Sequence, residues 1–147
     1  MKVLIAYTTK KGSTREVAEK IGEVLESKKM EVLVRDIKEK PSPEGFDAAV
    51  VGAPIMMGSL LHRAPTFVAR HLKILKEKPF ACFALGGTLK EDTEENRAIM
   101  LKKLTKITDK ITPVDIGLFG GKYEKKDDYR DWQKITAWAE GLVKKLK

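Results

Sequence analysis

Cysteine, histidine and long apolar runs are scarce in this chain. Its 147 residues include one cysteine, Cys82, and two histidines. One cysteine excludes an internal disulfide, and so few Cys and His residues cannot build a typical zinc site, so we expect no metal. No apolar stretch approaches the roughly 20 residues that span a bilayer, and the apolar start is too short for a signal peptide. We therefore expect no stable membrane insertion and a cytoplasmic location.

The residues that are present give a folded protein with a basic surface. Hydrophobic residues make up 42% of the chain and charged residues 34%, which is typical of a globular domain. The length predicts a single domain over residues 1–147. The formal net charge is +8, but the basic residues are scattered, so we expect no nucleic-acid partner. An acidic protein partner or a solvated, lysine-rich surface would each explain the charge.

Apolar runs and amphipathic stretches alternate along the chain. Strands are predicted at 2–7, 32–34, 47–52, 80–85 and 114–119. Helices are predicted from Ser13, which begins a capping-box pattern, from Pro65, over about 92–105 and from about Asp128. Strict alternation of strands and helices predicts an α/β fold, in which helices cover both faces of a parallel sheet.

Four loops follow strands and therefore lie at the carboxyl edge of the predicted sheet, where such folds bind ligands. They span residues 8–14, 53–62, 85–90 and 120–123. The first loop joins a buried strand to a helix amino terminus, and it contains Gly12 and the hydroxyls of Thr9, Ser13 and Thr14. Free amides and hydroxyls of this kind suit a phosphate group. An ordinary polar strand-to-helix turn is the alternative.

Other proteins that use this architecture need residues that are absent here. The chain has neither a Walker phosphate loop nor a dinucleotide-binding glycine motif. A phospho-acceptor domain needs acidic residues where this chain has Thr8 and Thr9. Cys82 has no arginine close to it in sequence, so we interpret it as a buried core thiol. We identify no catalytic acid or base, although His62 in the second loop is either functional or a solvated loop histidine.

The stretch Thr9-Lys10-Lys11-Gly12-Ser13-Thr14 resembles the phosphate-binding signature of flavodoxins, and it follows the first strand as it does in them. The order of elements is similar to the flavodoxin plan over the whole chain. That resemblance implies a three-layer sandwich whose five-stranded parallel sheet has the order 2-1-3-4-5. Within the superfamily, segments 8–18, 51–58 and 120–123 are similar to the menaquinone-dependent protoporphyrinogen oxidase branch.

The resemblance implies a bound FMN, with its phosphate in the first loop. Two further loops would line the isoalloxazine ring with Pro54, Ile55, Met56, Met57, Gly58, Gly86, Gly87, Thr88 and Leu89. Gly58 would turn its carbonyl towards the flavin after one-electron reduction, since glycine tolerates a positive φ. Met57 would lie beside the ring, or else simply pack within its loop. Tyr123 would contact the cofactor, or else be a surface tyrosine.

We therefore expect an FMN-binding electron-transfer flavoprotein that shuttles electrons between redox partners. The basic surface suggests an acidic partner such as a ferredoxin. One alternative is an FMN-dependent oxidoreductase of the protoporphyrinogen oxidase or quinone reductase type, acting on a porphyrin or a quinone. Another is a flavin-free regulatory module on the same fold. Because segment 58–63 has no carboxylate, we expect the fully reduced flavin to form at a higher potential than in acidic flavodoxins.

Overall fold

A central parallel sheet organises the protein, whose computed structural model describes residues 1–123 and 127–147. The strands are β1 (Lys2–Tyr7), β2 (Glu31–Asp36), β3 (Ala48–Met56), β4 (Ser59–Leu60), β5 (Phe80–Leu85) and β6 (Asp115–Phe119). The helices are α1 (Ser13–Ser27), α2 (Arg63–Arg70), α3 (Leu72–Leu75), α4 (Glu94–Lys103), α5 (Thr105–Thr108) and α6 (Trp132–Lys145). Short 3₁₀ turns follow β2 at Ile37–Glu39 and β5 at Gly87–Lys90.

The five long strands are parallel and lie in the order β2-β1-β3-β5-β6. In the middle of the sheet, Ile5 of β1 pairs with Val34 of β2 and with Val50 of β3. Numbered without the two-residue β4, this is the order 2-1-3-4-5. The predicted flavodoxin-like α/β fold is therefore confirmed.

Helices cover the sheet on both faces, because each strand is apolar on its two sides. One face buries residues of β1 and β3 against α1 and α6, with Ile21 and Ile135 fully buried between them. The opposite face buries strand residues against α2 and the α3–α5 region, and this cluster includes Phe67 and Met100. Strands that are buried on both sides favour the near-continuous apolar runs seen in the sequence.

The second predicted loop is largely a strand, so its predicted boundaries are wrong. β3 continues to Met56, because Ala53 and Pro54 pair with Ala84 and Leu85 at the end of β5. The chain then reverses, and β4 pairs antiparallel with the end of β3. This hairpin leaves only residues 57 and 58 as the connection between the two strands.

α1 begins at Ser13 as predicted, but its predicted cap and the starts of two other helices need correction. Gly12, and not Ser13, caps α1, and no side chain caps this helix, so the predicted capping box does not form. α2 begins two residues before Pro65. α6 begins at Trp132 and not at about Asp128, because the carboxylate of Asp131 accepts hydrogen bonds from the Gln133 and Lys134 amides. Within the described ranges, no helix has the length and apolar character needed to cross a membrane.

Candidate functional site

The loop between β1 and α1 folds around a glycine in the left-handed region. Gly12 has a φ of +93°, and its amide donates a hydrogen bond to the Thr9 hydroxyl oxygen at 2.9 Å. The Gly12 carbonyl then accepts from the amide of Glu16 at 3.2 Å. The chain therefore turns sharply into α1, whose first amides have no partners within the helix. This arrangement suits the binding of an anion.

Two threonine hydroxyls beside this turn are buried and unsatisfied. The side chains of Thr8 and Thr14 are both 0% exposed, and neither hydroxyl has a hydrogen-bond partner among the described residues. A buried polar atom without a partner costs roughly 1–3 kcal/mol, so such atoms are rare in folded proteins. Thr14 lies in the first turn of α1, where a bound phosphate would receive its hydrogen bond. The residues present therefore fit the phosphate of FMN.

The first loop faces residues from β3 and from the segment after β6. Together they line a small cleft whose walls are Lys10, Lys11, Ser13, Pro54, Met56, Lys122 and Tyr123. Six of these seven residues were predicted site residues, and Lys122 was not. The two loop lysines are exposed, so their ammonium groups add positive potential at this mouth.

The tip of the β3–β4 hairpin carries two consecutive residues with positive φ. Met57 has a φ of +50° and Gly58 a φ of +80°, as in the two-residue turns that match strand twist. A side chain in the left-handed region costs roughly 1–2 kcal/mol, so Met57 holds a strained conformation. Its side chain is 100% exposed, so the alternative that it packs within the loop is wrong.

Two lysines, one from α4 and one from α5, lie close to this hairpin. The Lys106 ammonium donates to the Ser59 hydroxyl at 3.1 Å. The Lys103 ammonium lies 3.8 Å from the position that a Cβ on Gly58 would take. The surroundings of the hairpin tip are therefore cationic, and the sequence could not show this because Lys103 and Lys106 lie more than 40 residues further along the chain.

The loop after β5 lies beside Tyr123. Gly86 is buried, and its amide donates to the Phe119 carbonyl at 3.0 Å, while Gly87 is exposed and Thr88 half-buried. A Cβ on Gly87 would stand 3.4 Å from the Tyr123 ring. Burial raises the pKa of Tyr123, and a hydrogen bond from the Gly87 backbone opposes that rise. Tyr123 is thus half-buried against the third loop.

Not every predicted site residue lies in the cleft. Ile55 and Leu89 are 9% and 5% exposed, so they pack in the hydrophobic core and do not line the cleft. His62 is exposed at the start of α2, as in the solvated-histidine interpretation. Cys82 is buried in β5, and its burial raises the pKa of the thiol to about 12. The prediction of a core thiol is confirmed.

Arg130 is a further residue of this region that sequence reasoning did not identify. Its guanidinium donates to the Ser13 carbonyl at 3.2 Å and to the Glu16 carboxylate at 2.9 Å. Two more hydrogen bonds hold it to Asp128, whose pKa it lowers. The only signal available in the sequence was its position shortly after the last strand, at the carboxyl edge.

Comparison with curated proteins finds a redox enzyme among the relatives. The chain is 31% identical to protoporphyrinogen IX dehydrogenase [quinone] of Escherichia coli K12 over 88 residues, which are 58% of this chain and 49% of that protein. The same identity and coverage hold for the protein of that name from Escherichia coli O157:H7. The chain spans about half the length of the curated relatives that it matches.

Solved flavodoxins share the fold along the whole chain. Oxidised flavodoxin 1 from Bacillus cereus has a TM-score of 0.68 and 20% identity, covering 100% of both chains. A flavodoxin from the domain Archaea has a TM-score of 0.66 and 22% identity, covering 99% of both. The model of the family described as "Flavodoxin domain" matches residues 4–139. The chain therefore belongs to the flavodoxin domain family.

Proposed function

We propose that this protein binds FMN without a covalent bond and transfers electrons. FMN is the cofactor typical of the family, and when bound it supplies one- and two-electron chemistry. The part of the protein is to hold the group, set its potential and control access to it. We include in the proposal the cytoplasmic location expected from the sequence.

The observation that carries this proposal is the buried, unpartnered hydroxyl of Thr14. It stands in the first turn of α1, beside the free amides and the left-handed turn at Gly12. A phosphate here would satisfy the hydroxyl and the amides together, because phosphate oxygens accept several hydrogen bonds. The same group would be favoured by the positive end of the helix dipole.

The remaining predicted residues would enclose the flavin ring. In this proposal Pro54 and Met56 approach it from the end of β3, and Met57 and Gly58 from the hairpin tip. Gly86, Gly87, Thr88 and Tyr123 would border it on the other side. The exposed Met57 side chain would then gain an apolar contact, which offsets the cost of its strained backbone.

The protein partner is part of the proposal. A formal net charge of +8 favours an acidic redox protein such as a ferredoxin, because complementary charge steers encounter and fixes orientation. Such a complex should weaken as salt is added, whereas FMN retained through buried contacts should change little.

A second candidate function is supported by the curated relatives. Their name describes a quinone-dependent dehydrogenase of protoporphyrinogen IX. In that case this protein would be an FMN-dependent oxidoreductase whose substrate, a quinone or a porphyrin, reaches the flavin beside the hairpin. Each turnover would then transfer two electrons by way of bound FMN, while the protein would position the substrate beside it.

Absorption spectroscopy during stepwise reduction tests both candidates. The apoprotein is titrated with FMN, and the visible bands and the quenching of flavin fluorescence give a dissociation constant. A one-electron-reduced flavin that accumulates during reduction supports the carrier. Direct passage to the fully reduced flavin, with turnover of a quinone, supports the enzyme. Failure to take up FMN at any concentration would contradict both and favour a flavin-free module.

A further inference from the structure

A groove with two cationic walls runs along one side of α2. One wall contributes Lys38 and Lys40, from the turn after β2, and the other contributes Arg63 and Arg70 of α2. Ile37 and Phe67 form an apolar floor and are 8% and 2% exposed. We call this the basic groove. Nothing in the FMN proposal uses it.

The four cations of the basic groove lack ion-pair partners within the described part of the chain. Only a minority of the cations elsewhere in the described residues form ion pairs, as Arg97 and Lys134 do with Asp92, so the basic groove is distinguished by gathering four unpaired cations around one cavity. The carboxylates closest in sequence do not line the groove. One of them, Asp36, is occupied by the backbone amide of Lys38. Like charges held together destabilise a fold, so an unpaired cluster points to an anionic ligand.

The basic groove adjoins the candidate flavin hairpin. Its α2 wall begins at Arg63, three residues after β4 ends. The amide of Leu61 in this connection donates to the Pro54 carbonyl at 3.0 Å, which holds the start of α2 against the end of β3. Whatever occupies the basic groove therefore lies beside the hairpin whose tip exposes Met57.

The shape and chemistry of the basic groove favour a segment of protein as its occupant. Its volume is about 280 Å³, slightly below the roughly 300–1,000 Å³ of small-molecule sites. It is open, and its charges lie on two walls across an apolar floor. An extended segment could place carboxylates against both walls and one apolar side chain on Phe67.

We propose that the basic groove docks an acidic segment of the redox partner, and this inference rests on the proposed electron-transfer function. Docking there would bring the partner to the hairpin side of the flavin. Because the segment contacts α2 and the turn after β2, its binding does not require FMN. Peptide binding and flavin binding are therefore separable measurements.

Fluorescence anisotropy of a labelled synthetic peptide tests the proposal. The peptide is short, rich in Glu and Asp, and contains one central Leu, and a matched peptide has Gln and Asn in place of the acids. The test variant is Arg63→Glu with Arg70→Glu. The control variant is Lys144→Glu with Lys147→Glu, which lowers the formal net charge of +8 by the same four units. All four side chains are exposed, so folding should be retained, as circular dichroism will verify.

We expect the wild type and the control variant to bind the acidic peptide with similar affinity, and the groove variant roughly tenfold more weakly or worse. The matched neutral peptide should not bind. FMN affinity, measured on the same samples, should be equal in all three proteins if the flavin proposal holds. If the groove variant loses peptide binding but still binds FMN, the basic groove is the peptide site. If the proteins bind the peptide as expected but none binds FMN, the result counts only against the proposed function.

Three results would overturn the proposal. Equal weakening by the control variant would mean that only overall charge attracts the peptide. Binding of inorganic phosphate or of phosphatidylserine vesicles in place of the peptide, with the same dependence on Arg63 and Arg70, would assign the groove to a small anion or a lipid surface. If the double variant Arg63→Gln with Arg70→Gln binds the acidic peptide as tightly as the wild type, these two cations do not contact the peptide.

Discussion

The guanidinium of Arg130 donates a hydrogen bond to the carbonyl oxygen of Ser13, across 117 residues of chain. Arg130 is 4% exposed at its side chain and also holds the Glu16 carboxylate. It therefore fastens the segment before α6 to the first turn of α1, where a phosphate would bind. This contact makes Arg130 a positioning residue, because it reaches the proposed anion site only through the backbone of the first loop.

Replacing Arg130 by Met should loosen the first loop. We expect a loss of roughly 1–3 kcal/mol in the free energy of unfolding, since charge-assisted hydrogen bonds are removed from a largely buried group. FMN affinity should fall as well, because part of the binding free energy must then be used to order the loop. Urea unfolding and FMN titration measure the two effects. Arg35→Met, at an exposed arginine outside the ion pairs of the described residues, should change neither.

The ion pair between Asp128 and Arg130 should make stability depend on pH. The guanidinium lowers the pKa of the Asp128 carboxyl below its ordinary 3.8, so the pair stabilises the fold above that pH. The contribution is lost as the pH falls through the lowered pKa. Asp128→Asn should cost about 1 kcal/mol at neutral pH and show a smaller acid dependence, as urea unfolding will measure. Asp109→Asn, at a carboxylate without an ion pair in the described ranges, should keep the acid dependence of the wild type.

Replacing Thr14 by Val should have opposite effects on the free protein and on the complex. The change removes a buried, unsatisfied hydroxyl while keeping the side-chain shape, so the apoprotein should gain about 1 kcal/mol of stability. FMN affinity should fall by roughly tenfold or more, because one phosphate hydrogen bond is lost. Thr14→Ser should retain FMN. Thr136→Val, on α6, serves as the control, and equal FMN affinity in Thr14→Val would contradict the phosphate site.

Gly58 and Gly45 provide a matched pair, since their φ angles are +80° and +82°. Neither site is crowded, so a Cβ would meet only the backbone cost of the left-handed region. We expect Gly58→Ala and Gly45→Ala each to destabilise the apoprotein by about 1 kcal/mol. Only Gly58→Ala should alter the gap between the first and second reduction potentials of bound FMN. An unchanged gap would remove Gly58 from the flavin site.

The lysines at the hairpin should raise the potential at which the second electron is added. A unit charge about 4 Å away is worth roughly 4 kcal/mol at an effective dielectric of 20, which corresponds to roughly 170 mV as an upper limit for one electron. Lys103→Glu should therefore lower this potential by tens of millivolts, as spectroelectrochemistry will measure. Lys144→Glu, on α6, should leave it unchanged. The same potential in both variants would place the flavin away from Lys103.

The sequence by itself determined the class of fold, and its resemblance to flavodoxins implied the order of the sheet. Runs such as 2–7 and 80–85 are apolar throughout, because both faces of a parallel sheet are buried, and their predicted bounds agree with β1 and β5. It also placed Thr9, Gly12 and Thr14 in one loop, because local turn chemistry depends on neighbouring residues. The hairpin at Met57 was missed, since the pairing of Pro54 with Leu85 depends on a distant strand.

Only the tertiary structure decided which distant residues share the site. Arg130 and Lys103 meet the first loop and the hairpin through the packing of α6 and α4, which no local pattern encodes. The same holds for the basic groove, whose two walls come from segments that are adjacent in space but separated in sequence. Likewise, only the packed fold shows that the Thr14 hydroxyl is buried without a hydrogen-bond partner, because the exposure of a side chain depends on tertiary packing.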